Sequence, residues 1–234
     1  MKKALIFQGG AEAVESKKLS VRFERILKEN GYEVTVTDTL ETLSDAEYLK
    51  SLDLIVPCWT NGEMPDEYCA NVCDAVANGV GIAGCHGGMC DTFRNNLAWH
   101  YMTGGQYVAS PAKDETNFVV NIKQSTSRIM DGLEDFVVTS EQYYLHVDPA
   151  VEVLASVKCP VANGYPNLDR TVDMPVVWTK NWGCGRVFYF SLGHTDDVFY
   201  RSPNAQKIME RGMLWAGEGK AYTIDNCMVH KEGF

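Results

Sequence analysis

The stretch Val80-Gly81-Ile82-Ala83-Gly84-Cys85-His86-Gly87-Gly88 decides how the rest of the chain is read. A short apolar run bounded by glycines predicts a buried parallel strand, here Val80 to Gly84. The frame that follows, small residues on both sides of a central one, is what a sharp strand-to-helix turn of the nucleophile-elbow kind requires, because only glycines fit beside the residue it presents. At the tip stands His86, with Cys85 before it. In an open α/β sheet such a turn lies at the carboxyl edge, where ligands bind.

Upstream, strand and helix alternate. Ala4 to Phe7, Tyr32 to Thr37 and Asp53 to Cys58 read as strands. A first helix places Leu19, Phe23, Ile26 and Leu27 on one face, with Lys17, Lys18, Arg22, Glu24 and Lys28 largely on the other. Asn30-Gly31 closes it with a residue that accepts the left-handed cap. Pro65 opens a further helix carrying Tyr68, Val72, Ala75 and Val76, closed by Asn78-Gly79. This alternation predicts an α/β protein with a doubly wound, mostly parallel sheet and helices on both faces.

Downstream the chain is richer in strands: Phe118 to Ile122, Phe136 to Ser140, Val151 to Ser156, Pro175 to Thr179 and Arg186 to Ser191. Residues 157–175 read as a loop, on Pro160, Asn163-Gly164, Pro166 and Pro175. A last helix runs from Pro203 to Ala216, so residues 1–217 are expected to form one domain and 218–234 a polar tail.

Composition limits the functions on offer. The 234 residues carry a formal net charge of −10 with no long basic run, which argues against nucleic acid or anionic lipid as a partner. No apolar run reaches the ~20 residues needed to span a bilayer, so a cytoplasmic location and no membrane association are expected. The eight cysteines, without a repeated spacing, are expected to be thiols. Cys69 and Cys73 lie four apart on a helix and fit either a shared ligand or core packing. The tail and exposed aromatics such as Tyr200 leave a homo-oligomer open.

Two further clusters carry chemistry. Ser191-Leu192-Gly193-His194-Thr195-Asp196 leaves a strand end with a histidine and an acid, the pattern of a general base held by its orienting carboxylate. Ser140-Glu141-Gln142-Tyr143-Tyr144-Leu145-His146 combines a carboxylate, phenols and an imidazole, suited to sugar hydroxyls or a metal, or to core packing. Asp91, Arg94, Trp99, Thr103-Gly104-Gly105 and Pro111 surround them. Gly104 and Gly105 could bring backbone amides to a ligand, or simply turn the chain.

Together with Pro175-Val176-Val177-Trp178, Gly185-Arg186-Val187-Phe188-Tyr189 and Leu214-Trp215-Ala216-Gly217, these pieces resemble, in order and spacing, the ThuA-like family, named for trehalose utilisation. The resemblance runs from Ala4 to about Gly217. It implies the flavodoxin-like fold of class I glutamine amidotransferases. It places His86 at their nucleophile position and His194 with Asp196 at the triad's His and acid. An imidazole is a poor substitute for a thiolate in attacking a glutamine amide, so glutaminase activity is not expected.

The resemblance further implies a role in carbohydrate metabolism, on trehalose, a related disaccharide or a keto-sugar, with hydrolase- or lyase-like chemistry. On that reading His86, His194, Asp196 and Glu141 are catalytic. Cys85, Asp91, Arg94, Tyr143, Gly104 and Gly105 contact a small carbohydrate. His86, His146 and His194 form a candidate set for zinc or another divalent ion. The alternatives are a non-catalytic carbohydrate-binding or regulatory module on a degenerate amidotransferase scaffold, and a hydrolase that uses Cys85.

Overall fold

The apolar run Ala4–Phe7 is fully buried and forms the middle of β1 (Lys2–Gly10), which pairs in parallel with both β2 (Tyr32–Thr37) and β3 (Leu54–Thr60). The structure is a computed structural model and describes residues 1–11, 13–111, 116–161 and 170–221. The crossover from β1 to β2 is α1 (Ala13–Glu29), and α2 (Ala46–Ser51) leads into β3. From β3 the chain passes through α3 (Asp66–Ala77) to β4 (Gly81–Cys85), then α4 (Gly87–Cys90) and α5 (Leu97–Thr103).

The second half supplies β5 (Gly105–Ala109), β6 (Thr116–Ile122), β7 (Phe136–Ser140), β8 (Tyr144–Val147), β9 (Glu152–Pro160), β10 (Thr171–Trp182) and β11 (Gly185–Phe190). It ends with α6 (Asp197–Arg201) and α7 (Pro203–Gly217). The main sheet has nine strands in the order β2-β1-β3-β4-β11-β10-β9-β6-β7. Pairing is parallel from β2 through to β11 and antiparallel from β11 to β7. β5 and β8 form a separate antiparallel pair. α1, α6 and α7 pack together over one face of the sheet, and α2, α3 and α5 over the other. This is the α/β, flavodoxin-like arrangement expected from the alternation of elements.

Several local expectations need correction. The loop read over 157–175 is shorter, because β9 runs on to Pro160 and β10 begins at Thr171, the two pairing Thr171↔Pro160 through Pro175↔Ser156. Pro175 is tolerated inside β10 because it sits beside a bulge, where the ladder needs no donor from it. Residues 162–169, with Asn163-Gly164 and Pro166, lie outside the described residues, as does the tail from 222 onward with Cys227.

Arg22, placed on the solvent face of α1 by its charge, is buried. Its Nε and Nη2 donate to the two carboxylate oxygens of Asp196, Nη1 donates to Gln206, and the guanidinium lies 4.0 Å from the Tyr200 ring centroid. The α6–α7 end of the chain packs over this side of α1, so a cation there meets a carboxylate instead of water. Cys58, Cys69, Cys73, Cys85, Cys90 and Cys159 are thiols outside any disulfide, and Cys69 and Cys73 lie on α3 with Cys69 in the core. No helix among the described residues is long and apolar enough to cross a membrane.

Close approach of α7 to the sheet depends on Gly212. A methyl group there would sit 2.2 Å from Cε1 of the buried Phe188 ring. Helix propensity alone favours Ala over Gly by about 1 kcal/mol. Gly212→Ala is nevertheless expected to destabilise the fold by roughly 1–3 kcal/mol through overpacking. Urea denaturation measures this, and a stabilised variant would contradict the packing of α7 on β11.

Candidate active site

β4 and β11 are neighbours in the sheet, with Cys85 opposite Phe190, so both chains leave the carboxyl edge side by side. The His86 N–H donates to the Phe190 carbonyl at 2.8 Å, extending the ladder by one bond into the turn. His86 then adopts φ +46°, ψ −135°, a conformation that costs a residue with a Cβ about 1–3 kcal/mol. The Tyr189 hydroxyl donates to the His86 carbonyl at 3.2 Å, and the Cys90 amide donates to the same oxygen. Glycines flank the turn for a steric reason: a Cβ at Gly84 would lie 2.8 Å from that of Met89, and one at Gly88 3.2 Å from the Cys58 backbone. The elbow expected from the sequence is present, and it presents an imidazole.

Two more groups meet this imidazole. His86 Nε2 lies 3.3 Å from Glu141 Oε2, and His194 Nδ1 lies 3.1 Å from the same oxygen. The two imidazole rings are 5.1 Å apart and edge-on. Tyr143 lies against His86 with ring centroids 3.8 Å apart, and Tyr107 packs behind it at 4.5 Å with its ring tilted by 59°. Glu141 belongs to the short segment between β7 and β8. Its neighbour Gln142 is pinned on both sides, donating through Nε2 to the Lys158 carbonyl and accepting from the Ser110 hydroxyl at its own carbonyl.

Burial acts to raise the Glu141 pKa, but hydrogen bonds from His194 and His86, the charge of His86 and a bond from Ser110 outweigh it. The carboxyl is held well below its usual 4.5. Asp91 shifts the other way: its burial raises the pKa, Arg94 opposes that, and the nearby Glu141 charge adds to it.

Among the expected site residues, His86, Glu141, His194 and Tyr143 converge. Asp91 and Arg94 lie beside them, Arg94 Nε donating to Asp91 Oδ1 at 2.8 Å while its guanidinium covers the Tyr107 ring at 5.2 Å. Four expectations are redirected. Asp196 does not serve as the orienting carboxylate of His194, because its oxygens are turned to Arg22; the carboxylate on His194 Nδ1 is Glu141.

His146 sits exposed on β8, paired with Gln106, and is not part of the His86–Glu141–His194 group. Gly104 and Gly105 do not line the cleft beside His86 and His194. Gly104 ends α5 in the left-handed conformation, and a Cβ on Gly105 would strike Trp178 at 2.7 Å. Together with His100, Tyr101 and His146 they line a separate shallow groove. Cys85 is buried, and burial, reinforced by the Asp196 charge, pushes its thiol up to about 12, which disfavours the thiolate near neutral pH.

The sequence reading missed Thr60 and Ser110, and it took Tyr107 only as the end of the stretch from Thr103 that could bring backbone amides to a ligand. Thr60 ends β3 and, with Cys58, Glu15, Ser16 and Gly87, lines a narrow cleft beside His86 and His194 that holds little more than a water molecule. Its position at the carboxyl end of a parallel strand was the available signal. Ser110 and Tyr107 reach the site only through the β5–β8 pairing.

Fold and site together define an α/β protein with a histidine-bearing elbow. The family model described as trehalose utilisation, ThuA, matches residues 3–216, and the chain belongs to that family. It is similar in structure to a putative ThuA-like protein from Bacteroides uniformis (TM-score 0.74, 18% identity, 92% of this chain and 91% of that one). A putative ThuA-like protein from Parabacteroides merdae is comparable (TM-score 0.73, 18% identity, 94% and 91%). A β-galactosidase from Bacillus circulans sp. alkalophilus contains the fold as part of a longer chain (TM-score 0.58, 14% identity, 94% of this chain and 31% of that one). At these identities the likenesses concern the fold. No curated protein matches the sequence.

A folded-state pKa below the unfolded one means that Glu141 stabilises the fold above the unfolded value. That contribution is lost as pH falls toward the lower, folded value. In chelator-treated buffer, the stability difference between the wild type and Glu141→Gln is expected to be full at pH 7 and to shrink below about pH 4.3. Urea unfolding at stepped pH measures it, and a pH-independent difference would contradict the ionised, doubly bonded carboxylate.

Proposed function

We propose that the chain is a cytoplasmic carbohydrate-metabolism enzyme that acts on trehalose, a related disaccharide or a keto-sugar derivative at the His86–Glu141–His194 cluster. One observation carries the reading. Two imidazoles, carried on the turns after β4 and β11, share one oxygen of the Glu141 carboxylate, carried between β7 and β8, at 3.3 and 3.1 Å on the carboxyl edge of the sheet. One of the three is held in a strained backbone conformation. Family membership in trehalose utilisation supports the substrate class.

In this reading Glu141 fixes the ring orientation of both histidines, and His194 and His86 exchange protons with the substrate. Arg94, Asp91 and Tyr107 offer a charged and aromatic wall against which a sugar ring and its hydroxyls fit. Zinc or another divalent ion is the cofactor that His86, Glu141 and His194 would hold, with Glu141 in the place first given to His146.

The test is to incubate the purified chain with trehalose, other disaccharides and their keto forms and follow products by mass spectrometry. His86→Asn, chosen because Asn accepts positive φ, and His194→Gln are each expected to lower turnover by ~10²-fold or more. Melting temperatures should stay within a few degrees of the wild type. Sugar binding without conversion would overturn the enzyme in favour of a carbohydrate-binding module. No binding of any sugar would remove both readings.

A further inference from the structure

We propose that a hollow between α1 and α6 binds a small organic phosphate, holding the phosphate with Lys17, Lys18 and Arg25 and the body of the molecule against Val21 and Tyr200. None of the groups that converge on Glu141 lines this hollow, so the site stands whatever chemistry the histidine cluster performs.

Helical spacing assembles the cations. Lys17, Val21 and Arg25 fall at i, i+4 and i+8 of α1, and Lys18 and Arg22 at i and i+4 on the adjoining row, so all five share one side of the helix. With Asp196 and Tyr200 they line a hollow of about 470 Å³. Small-molecule sites commonly measure about 300–1,000 Å³. The cleft beside His86 and His194, by contrast, has room for about one water molecule.

The charges in the hollow do not cancel. Arg22 is buried and locked on both oxygens of Asp196, so that pair is neutral and rigid. Lys18 reaches Glu15 at 2.6 Å in an exposed pair, which holds too weakly in water to keep the ammonium from turning. Lys17 and Arg25 are exposed, and among the described residues neither has a carboxylate within ion-pair distance. Two unmatched cations suit a phosphate monoester, which carries about −1.5 to −2 at neutral pH. A carboxylate would use only one of them. Arg25 takes a phosphate through two N–H groups and Lys17 takes it as a point charge.

The body of the ligand meets its own surface. Val21 is 58% and Tyr200 67% exposed, so an aliphatic and an aromatic side chain stand open in the wall of a cationic hollow. The Arg22 guanidinium, 4.0 Å from the Tyr200 ring centroid, holds that ring as a fixed surface for a planar or apolar group. The positive patch covers only ~12 Å of one helix. In a chain of formal net charge −10, a nucleic acid reaching past it would meet repulsion, which limits the ligand to a small molecule.

The experiment is calorimetric titration of the full chain, at about 0.15 M salt, with adenosine 5′-monophosphate, glucose 6-phosphate, adenosine and inorganic phosphate. One phosphate ester per chain is expected, with inorganic phosphate and adenosine each binding at least about tenfold more weakly. Lys17→Glu and Arg25→Glu change exposed, unpaired positions and should each weaken the ester by more than about tenfold. Tyr200→Ser should bring it toward the affinity of inorganic phosphate. Lys123→Glu makes the same charge change outside the hollow and should bind like the wild type. Absence of binding by both esters, or binding that survives Lys17→Glu and Arg25→Glu unchanged, would overturn the site. Inorganic phosphate binding as tightly as either ester would overturn the organic body and the role of Val21 and Tyr200.

Discussion

The parallel pairing of β4 with β11 is the constraint on which the rest of the site depends. It sets Cys85 beside Phe190, lets the His86 amide reach the Phe190 carbonyl, and so brings the two imidazole-bearing loops out of the sheet together. Parallel neighbours send their carboxyl ends to one edge, and nothing else in this topology brings residues 86 and 194 into contact. The strained backbone at His86 persists because the sheet bond, the Tyr189 hydroxyl and the packing of α4 on β3 all fix the same turn.

A half-buried carboxylate between two imidazoles is electrostatically exacting. Burial by itself would favour the neutral acid, and an isolated ion there would be costly. The two imidazoles and Ser110 reverse that preference and favour the ionised form of Glu141. The same logic governs the other buried charges. Arg22 is matched by Asp196, and Lys180 is matched by Asp148 at 2.7 Å. Each pairing removes its members from the pool of free acids and bases. This is why Asp196, beside His194 in sequence, is held structurally by α1 and is not available to the imidazole.

The sequence itself determined a good deal. Buried runs at Ala4–Phe7, Leu54–Cys58 and Val80–Gly84, with the alternating edge strand Tyr32–Thr37 and the punctuation at Asn30-Gly31 and Asn78-Gly79, specified the parallel half of the sheet, since strand patterning and helix capping are local properties. The glycine frame around His86 specified the elbow, because a turn that tight excludes side chains wherever it occurs. The strands β5 and β8 were not legible: each is short, and their pairing depends on residues 105–109 meeting 144–147 across intervening β6 and β7.

Only the tertiary structure decided which carboxylate and which histidine belong to the site. Glu141, Asp196 and His146 all stand in polar segments near strand ends, and proximity in sequence favoured Asp196 for His194. Packing of α1 against the loop before α6 takes Asp196 for Arg22, and the β5–β8 pair leaves His146 exposed on its own strand. The anchoring of Gln142 on Lys158 and Ser110 holds the β7–β8 segment that brings Glu141 to both imidazoles. Local sequence encodes strands, turns and caps because these depend on near neighbours. The choice among distant charges depends on where the sheet order and its loops finally bring them.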